Sequence, residues 1–474
     1  MTSIDASIII TVKVADISES HETKISFHNI ESDLNTAFQV GRRQSTAVLF
    51  DLLESNLHAF ICSYKNWKNV GTDKRSVLME AGTITYRRHI YLDEQGNRRK
   101  PFDELIGLQA YQRNSNKVET MVASLATVSS FRDVAELFSY VTKEYISPST
   151  VYRMTGRVGK KLRAIEQMED EQNIEPGTIK TNRLMAEADG VIIRLQGEAQ
   201  KRAEVKVAVF YTGKTPIALH RNRLLNKFMT CQLGMSNEAW QKHLSTFADR
   251  TFKLSDVAFA QIGGDGAKWV RNSFEYLGVP MLHLLDRFHV IRSLRSAFAQ
   301  HLDLKETLAK LFSEGFTAVE ADLLEIISNS KGAVREQQIK CFDYLRSNQD
   351  AITDLDKRGF GDLGFCSMGA MEGNVGKLIA KRMKGHGRSW SIQGAQNILA
   401  VIRYKNLIKT EAFAMTAMPV PEPQSRWRYQ RYKAPEWTPN SASIPVFSST
   451  HATEPWVQLF KSKVNGSLSI NAFF

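Results

Sequence analysis

The chain has 474 residues, 43% of them hydrophobic and 24% charged, and carries a formal net charge of +12, which describes a soluble globular protein of two to four domains at ~100–200 residues each. No apolar run approaches the ~18–20 residues that cross a bilayer, and Ile8-Ile9-Ile10 has no basic residue before it, so neither a membrane span nor a secretory signal is expected. Cys62, Cys231, Cys341 and Cys366 stand far apart with no Cys-x-x-Cys and no nearby Cys/His pairing, which argues against a zinc site or a disulfide framework.

Residues 1–40 alternate weakly between apolar and polar and hold two Lys against six acids. Between 41 and 70, Val48, Leu49, Leu52, Leu53 and Leu57 recur near helical spacing. Residues 83–91 predict a β-strand whose hairpin partner follows a turn at Glu94-Gln95-Gly96-Asn97. Arg87, Arg88, Arg98, Arg99 and Lys100 make that hairpin a candidate DNA contact, and 1–110 forms one N-terminal region. Residues 111–170 read as a helix-turn-helix region. Phe131, Val134, Ala135, Leu137 and Phe138 give one amphipathic helix, and Ser147-Pro148-Ser149-Thr150 starts the next with a cap and an early Pro. That second helix, through Val151, Tyr152, Met154 and Val158, presents Thr150, Arg153 and Arg157 on another face, with Arg153 placed to read base edges. A helical hairpin of purely structural purpose has the same pattern.

Four acids then appear in short, structured settings. Asp189 sits in Glu187-Ala188-Asp189-Gly190-Val191-Ile192-Ile193, a β-branched strand pattern. An apolar stretch at 257–262 runs into Gly263-Gly264-Asp265-Gly266, placing Asp265 at a strand end, where open α/β sheets gather active groups. Met281-Leu282-His283-Leu284-Leu285 delivers Asp286, followed by a helix over 288–298 that carries His289. His283 itself reads as a core or strand-face histidine. Glu372 opens a segment in which Val375, Leu378, Ile379 and Met383 recur at helical spacing. Each motif alone reads equally as a turn, a cap or a surface ion-pair partner; the ordered set points to chemistry. Magnesium prefers oxygen ligands and needs one or two carboxylates per ion, and two such ions can drive an in-line displacement at phosphorus.

Leu304, Leu308, Leu311, Phe312, Leu323, Ile326, Ile327, Phe342 and Leu345 make 291–360 an all-helical insertion between 180–290 and 361–410, the two parts of an α/β core. From 373 to 433 there are twelve Lys and Arg against Glu411 and Glu422, so the positive excess follows Glu372 directly. Lys384, Arg388 and Trp390 are the expected DNA contacts there, although a solvated basic face would look alike. In 411–474, seven of the twelve prolines fall between Pro419 and Pro455. Within that tail Arg426, Trp427 and Arg428 begin a run of cations and rings suited to stacking on bases or to docking on a second subunit.

Ala188-Asp189-Gly190, Gly264-Asp265-Gly266-Ala267-Lys268-Trp269, Leu285-Asp286-Arg287-Phe288-His289 and the stretch from Glu372-Gly373-Asn374-Val375 through Arg388-Ser389-Trp390-Ser391 resemble the ISLre-type bacterial insertion-sequence transposases. These belong to the Mutator-like group of DDE transposases, and the resemblance covers about 80–405. It implies a ribonuclease-H-like α/β core interrupted by a helical insertion, which the helix-turn-helix region read from the residues would precede. It further implies Asp189, Asp265 and Glu372 as the triad for Mg²⁺, with Mn²⁺ as substitute, and Asp286 with His289 as an added Asp-x-x-His motif. Double-stranded DNA, both element ends and target, would be the partner of at least a dimer in the bacterial cytoplasm at the nucleoid. A DNA-binding regulator that does not cut, or a structure-specific nuclease of the same fold, are the alternatives.

Overall fold

The computed structural model describes residues 27–171, 176–218, 221–360, 368–385, 387–410 and 413, and the chain divides into two compact units, 1–161 with 404–474, and 162–403. The described part of the first unit opens with α1 (Phe27–Tyr64), followed by β1 (Lys68–Met79), β2 (Gly82–Leu92), the two-residue β3 (Arg98–Arg99) and α2 (Pro101–Leu105). α1 starts well before the segment where helical spacing is evident and stops short of residue 70. The main partner of β2 is the preceding β1, antiparallel with Met79 opposite Gly82; the expected turn at 94–97 leads only to β3. Alternate residues of β2, among them Ile84 and Tyr86, face inward and close a core with Phe50, Leu57, Ile61, Val77 and Phe102.

Three of the five hairpin cations expected to meet DNA are consumed by this packing. Arg88 is buried and pairs with Asp73 at 2.6 Å and with Asp103, which also takes Arg75 and the Tyr86 hydroxyl. Arg99 binds Glu104 at 2.6 Å and covers the Trp67 ring, and Lys100 binds Asp73 at 3.0 Å. Arg87 and Arg98 are exposed. Cys62 does have a histidine neighbour, His58 one helical turn away on α1, with Sγ to Nδ1 at 3.8 Å. Three helices complete the unit: α3 (Asn116–Ala126), α4 (Phe131–Thr142) and α5 (Pro148–Glu171), whose residues from Leu162 count in the second unit. α4 begins on a Ser130/Asp133 capping box and ends on Lys143 in the left-handed conformation. Residues 404–410, expected within the α/β core, instead belong to this unit, where a turn at Leu407–Lys409 contacts α3.

The second unit contains β4 (Arg183–Arg194), β5 (Arg202–Tyr211), β6 (Gly213–Ala218), β7 (Arg221–Leu225), β8 (Phe228–Leu233), α6 (Asn237–Thr251), β9 (Phe259–Gly264), α7 (Lys268–Asn272) and β10 (Met281–Leu285). Five of these strands form one mixed sheet in the order β10-β9-β4-β5-β8, while β6 and β7 make a separate hairpin. β4, β9 and β10 run parallel; β5 is antiparallel to both its neighbours. Leu184, Ala186 and Ala188 of β4 face Trp240, Leu244 and Ala248 of α6, so the odd-numbered residues, Glu187 and Asp189 among them, face the other side.

After β10 the described chain to residue 360 is helical: α8 (Arg287–Phe298), α9 (Leu304–Ser313), α10 (Thr317–Asn329) and α11 (Gly332–Ser347), ending in short turns. These helices bury Val290, Leu294, Phe298, Leu311, Leu323, Phe342 and Leu345 in a core of their own. α12 (Met371–Asn374), a π-helical turn Val375–Ala380, α13 (Lys381–Met383) and α14 (Ile392–Arg403) return to the sheet, α12 against β4 and β5, α14 against β8. Among the described residues no helix is long and apolar enough to cross a membrane.

Candidate active site

Register, more than any single motif, assembles the acids. β4 and β9 pair with Glu187 beside Gly263, so two residues further on Asp189 arrives beside Asp265. β9 and β10 pair with Gly264 beside Leu285, and the Asp286 N–H continues the ladder by donating to the Gly264 carbonyl at 2.8 Å. Asp189, Asp265 and Asp286 therefore stand in a row across three parallel strands, Asp265 and Asp286 just past the ends of β9 and β10 and Asp189 within β4. Their mutual field is evident at Asp189: burial above all, then the charges of Asp265 and Asp286, hold its carboxyl above the usual range, against the pull of the Gly190 N–H and His289.

Local geometry fixes each of the three. Asp189 Oδ1 accepts from the Gly190 N–H at 2.7 Å, and Asp265 Oδ1 accepts from the Ala267 N–H at 2.9 Å. Gly266 has φ +87°, and a Cβ there would also meet Asn348 Oδ1 and the Leu285 side chain at 2.8 Å, so the turn after Asp265 requires glycine. Asp286 caps α8 by accepting from the Phe288 N–H at 2.9 Å, and the ring of His289, one turn along, lies 4.0 Å from its other oxygen.

Glu372 enters through a residue that motif reading passed over. Glu187 is 1% exposed on β4, and its carboxylate accepts from the backbone N–H groups of Gly369, Ala370 and Met371, each at 3.1 Å, and from the Tyr211 hydroxyl at 2.6 Å. It thereby ties the start of α12 to the strand that carries Asp189, two residues away on the same face. Glu372 is the second residue of α12; its side chain lies outside those described. Gly263 permits this contact, because a Cβ there would meet Met368 at 2.7 Å and the Glu187 Cγ at 3.1 Å. Two acids spaced by one residue in a buried strand were the available signal for Glu187.

Glu204, on β5 opposite Ile192, is a further carboxylate in the same field. Burial, then Asp265 and Asp189, push its carboxyl up, and Lys206 opposes them. A Cβ on Gly190 would sit 2.1 Å from its Oε1, so the Asp-Gly pair at 189 serves this close approach and is no turn. Sequence gave no hint of Glu204, since its place depends on the register of the β4–β5 hairpin. Among the described residues no three Asp, Glu, His or Cys side chains already close on one point that a metal ion would occupy.

The expected DNA contacts fare unevenly. Arg153 is exposed on α5, its guanidinium 3.3 Å from Thr150 Oγ1. Arg157 is drawn inward by the fully buried Glu119, to which its Nε donates at 2.9 Å, so it is an ion-pair partner within the first unit and not a surface contact. Lys384 is exposed, whereas Arg388 donates to the carbonyls of Lys381 and Arg382 at 2.8 and 3.3 Å and closes the end of α13. Trp390 is buried. Its backbone pairs beside Leu195, its indole N–H donates to the Met383 carbonyl at 3.0 Å, and Arg382 lies over its ring, so it packs the core where DNA contact was expected. Arg426, Trp427 and Arg428 lie outside the described residues.

Residues 22–414 match UPF0236, an uncharacterised protein family, and the chain belongs to it. A UPF0236 protein in the vanSb 3′ region of Streptococcus gallolyticus is 24% identical over 404 residues, 82% of this chain and 85% of that protein. A UPF0236 protein of Caldanaerobacter subterraneus subsp. tengcongensis, whose name joins eleven locus designations, is 22% identical over 72% of this chain and 69% of its own length. Among solved structures, a Drosophila P element transposase strand transfer complex aligns with 72% of this chain and 92% of its own at 11% identity and a TM-score of 0.23.

Proposed function

We propose that the chain is a DDE-type DNA transposase of an insertion sequence, with a ribonuclease-H-like core, acting on element ends and target DNA as at least a dimer. The observation that carries this reading is the row of Asp189, Asp265 and Asp286 across three adjacent parallel strands, with the helix of Glu372 tied beside it by Glu187. A mixed sheet with β4 at its centre and a helical stretch between Asp286 and Glu372 suits that core. Neighbouring carboxylates whose charge raises the proton affinity of Asp189 suit a divalent cation, and hard oxygen donors suit Mg²⁺ or Mn²⁺. Such ions, if held there, would supply activation of the attacking hydroxyl and stabilisation of the leaving oxygen in an in-line displacement at phosphorus. In this reading Asp189 and Asp265 hold the metal, Glu372 completes its shell, and Asp286 orients α8 so that His289 faces the scissile phosphate. Arg153 reads DNA from the exposed start of α5. A relative whose name joins eleven loci is also what a self-copying element leaves in a genome.

The test is incubation of the full chain with labelled DNA spanning both flanks of its own gene, in Mg²⁺, beside Asp265→Asn. Discrete cuts at element ends and joined products are expected from the unaltered chain, with cutting lost and binding kept in the variant. Cutting without joining would favour a nuclease, and binding without cutting a regulator.

A further inference from the structure

The helical layer after β10 carries a groove that the reading above leaves unused. On α8, His289, Arg292 and Ser296 fall at i, i+3 and i+7; on α11, Gln337, Lys340 and Tyr344 repeat that spacing, so each set shares one helix face. With Asp265 at one end, the two faces enclose an open groove of about 420 Å³. Its walls are already fixed. The Tyr344 hydroxyl donates to the Asp265 carbonyl at 2.9 Å, tying α11 to the acidic row. Further out, Gln337 Nε2 donates to Ser296 Oγ at 2.6 Å and bridges the two helices.

Charge names the occupant. Arg292 and Lys340 are exposed, and among the described residues neither has an ion-pair partner. In the same unit Arg271, Arg287 and Lys310 are each neutralised, by Asp350, Asp354 and Glu306. Two lone cations and neutral hydrogen-bonding groups match the phosphates of a nucleic-acid backbone. The two helices touch at the groove floor, where Ser293 Oγ donates to Cys341 Sγ at 3.2 Å, so the groove offers its two cations to one phosphodiester backbone lying along it.

We propose that the α8/α11 groove binds the phosphodiester backbone of one DNA strand on its way to the acidic row, with Arg292 and Lys340 on its phosphates. This rests on the transposase reading and gives the helical layer a part in it. The experiment is fluorescence anisotropy of a labelled single-stranded DNA with the full chain, in EDTA so that neither metal nor cutting enters. Arg292→Gln/Lys340→Gln is compared with Arg295→Gln/Lys305→Gln, which removes equal charge from positions outside the groove. The groove pair is expected to lose at least about tenfold in affinity at low salt and to flatten the salt dependence by about 2 contacts, with Arg292→Lys/Lys340→Arg near normal. Equal losses in both Gln pairs would overturn the inference, as would a larger effect on an RNA of the same sequence. An unchanged groove pair that still cuts in Mg²⁺ would sink the groove and leave the transposase reading standing. No binding by the unaltered chain would remove both.

Discussion

Glu187 and Asp189 share a face of β4, yet one is satisfied and the other is not. Glu187 spends its carboxylate on three backbone N–H groups and a tyrosine hydroxyl, all neutral donors that leave its charge in place. Glu187→Gln would keep one accepting oxygen but turn an NH2 group, which cannot accept, toward the donors on the other, at a cost of about 3 kcal/mol, and would loosen the start of α12. Chemical denaturation should show that loss, while Tyr211→Phe should cost only about 1 kcal/mol. Asp189 is held among like charges, so Asp189→Asn should raise the melting temperature of the metal-free protein. Added Mg²⁺ should raise the melting point of the unaltered chain by linkage and do so far less in the variant, and DNA cutting should fall more than about 100-fold. A variant that melts lower without metal would show that the repulsion has been misjudged.

At the scale of elements, α4 and α5 show where sequence pattern suffices and where it fails. The start of α5 at Pro148 and the buried Val134, Phe138, Val151, Met154 and Val158 were legible, because amphipathic spacing and end signals are local. Leu137 and Tyr152 read as core and are exposed, and Arg157 read as surface and is engaged by Glu119; nothing within α5 announces a carboxylate on α3. Trp390 was misjudged for the same reason, since its partners Leu195 and Met383 are set by tertiary pairing. The acids at 189, 265 and 286 could be located because a β-branched strand pattern, for Asp189, and strand ends, for the other two, are short-range features, whereas Glu187 and Glu204 gain their roles from register. The difference between the two arginines is measurable. Arg157→Ala strands a buried carboxylate and should cost about 3–5 kcal/mol. Arg153→Ala should change stability by less than about 0.5 kcal/mol and weaken DNA binding instead. Equal effects on stability would remove the distinction.

For the molecule as a whole, the second unit contains a histidine that ties its stability to pH. His243 on α6 is 4% exposed, stacks on Trp240 with ring centroids 5.7 Å apart, and places Nε2 2.7 Å from Thr230 Oγ1 on β8. Burial lowers its pKa to about 4; Arg403 and Arg250 act in the same direction and Glu166 against them. The folded imidazole is therefore neutral where the unfolded one, near 6.5, already takes a proton. Stability from this group is complete above pH 6.5 and is lost as pH falls toward 4. The loss reaches about 2 kcal/mol at pH 5, or about 5 °C in melting temperature for a unit of this size. His243→Gln keeps a group able to bond Thr230 and cannot be protonated in this range, so its own stability should vary less between pH 7 and 5. Melting curves of both proteins across that interval decide the matter. Parallel curves would mean that the acid sensitivity of the unit comes from other groups, with the carboxylates of the site the next to test.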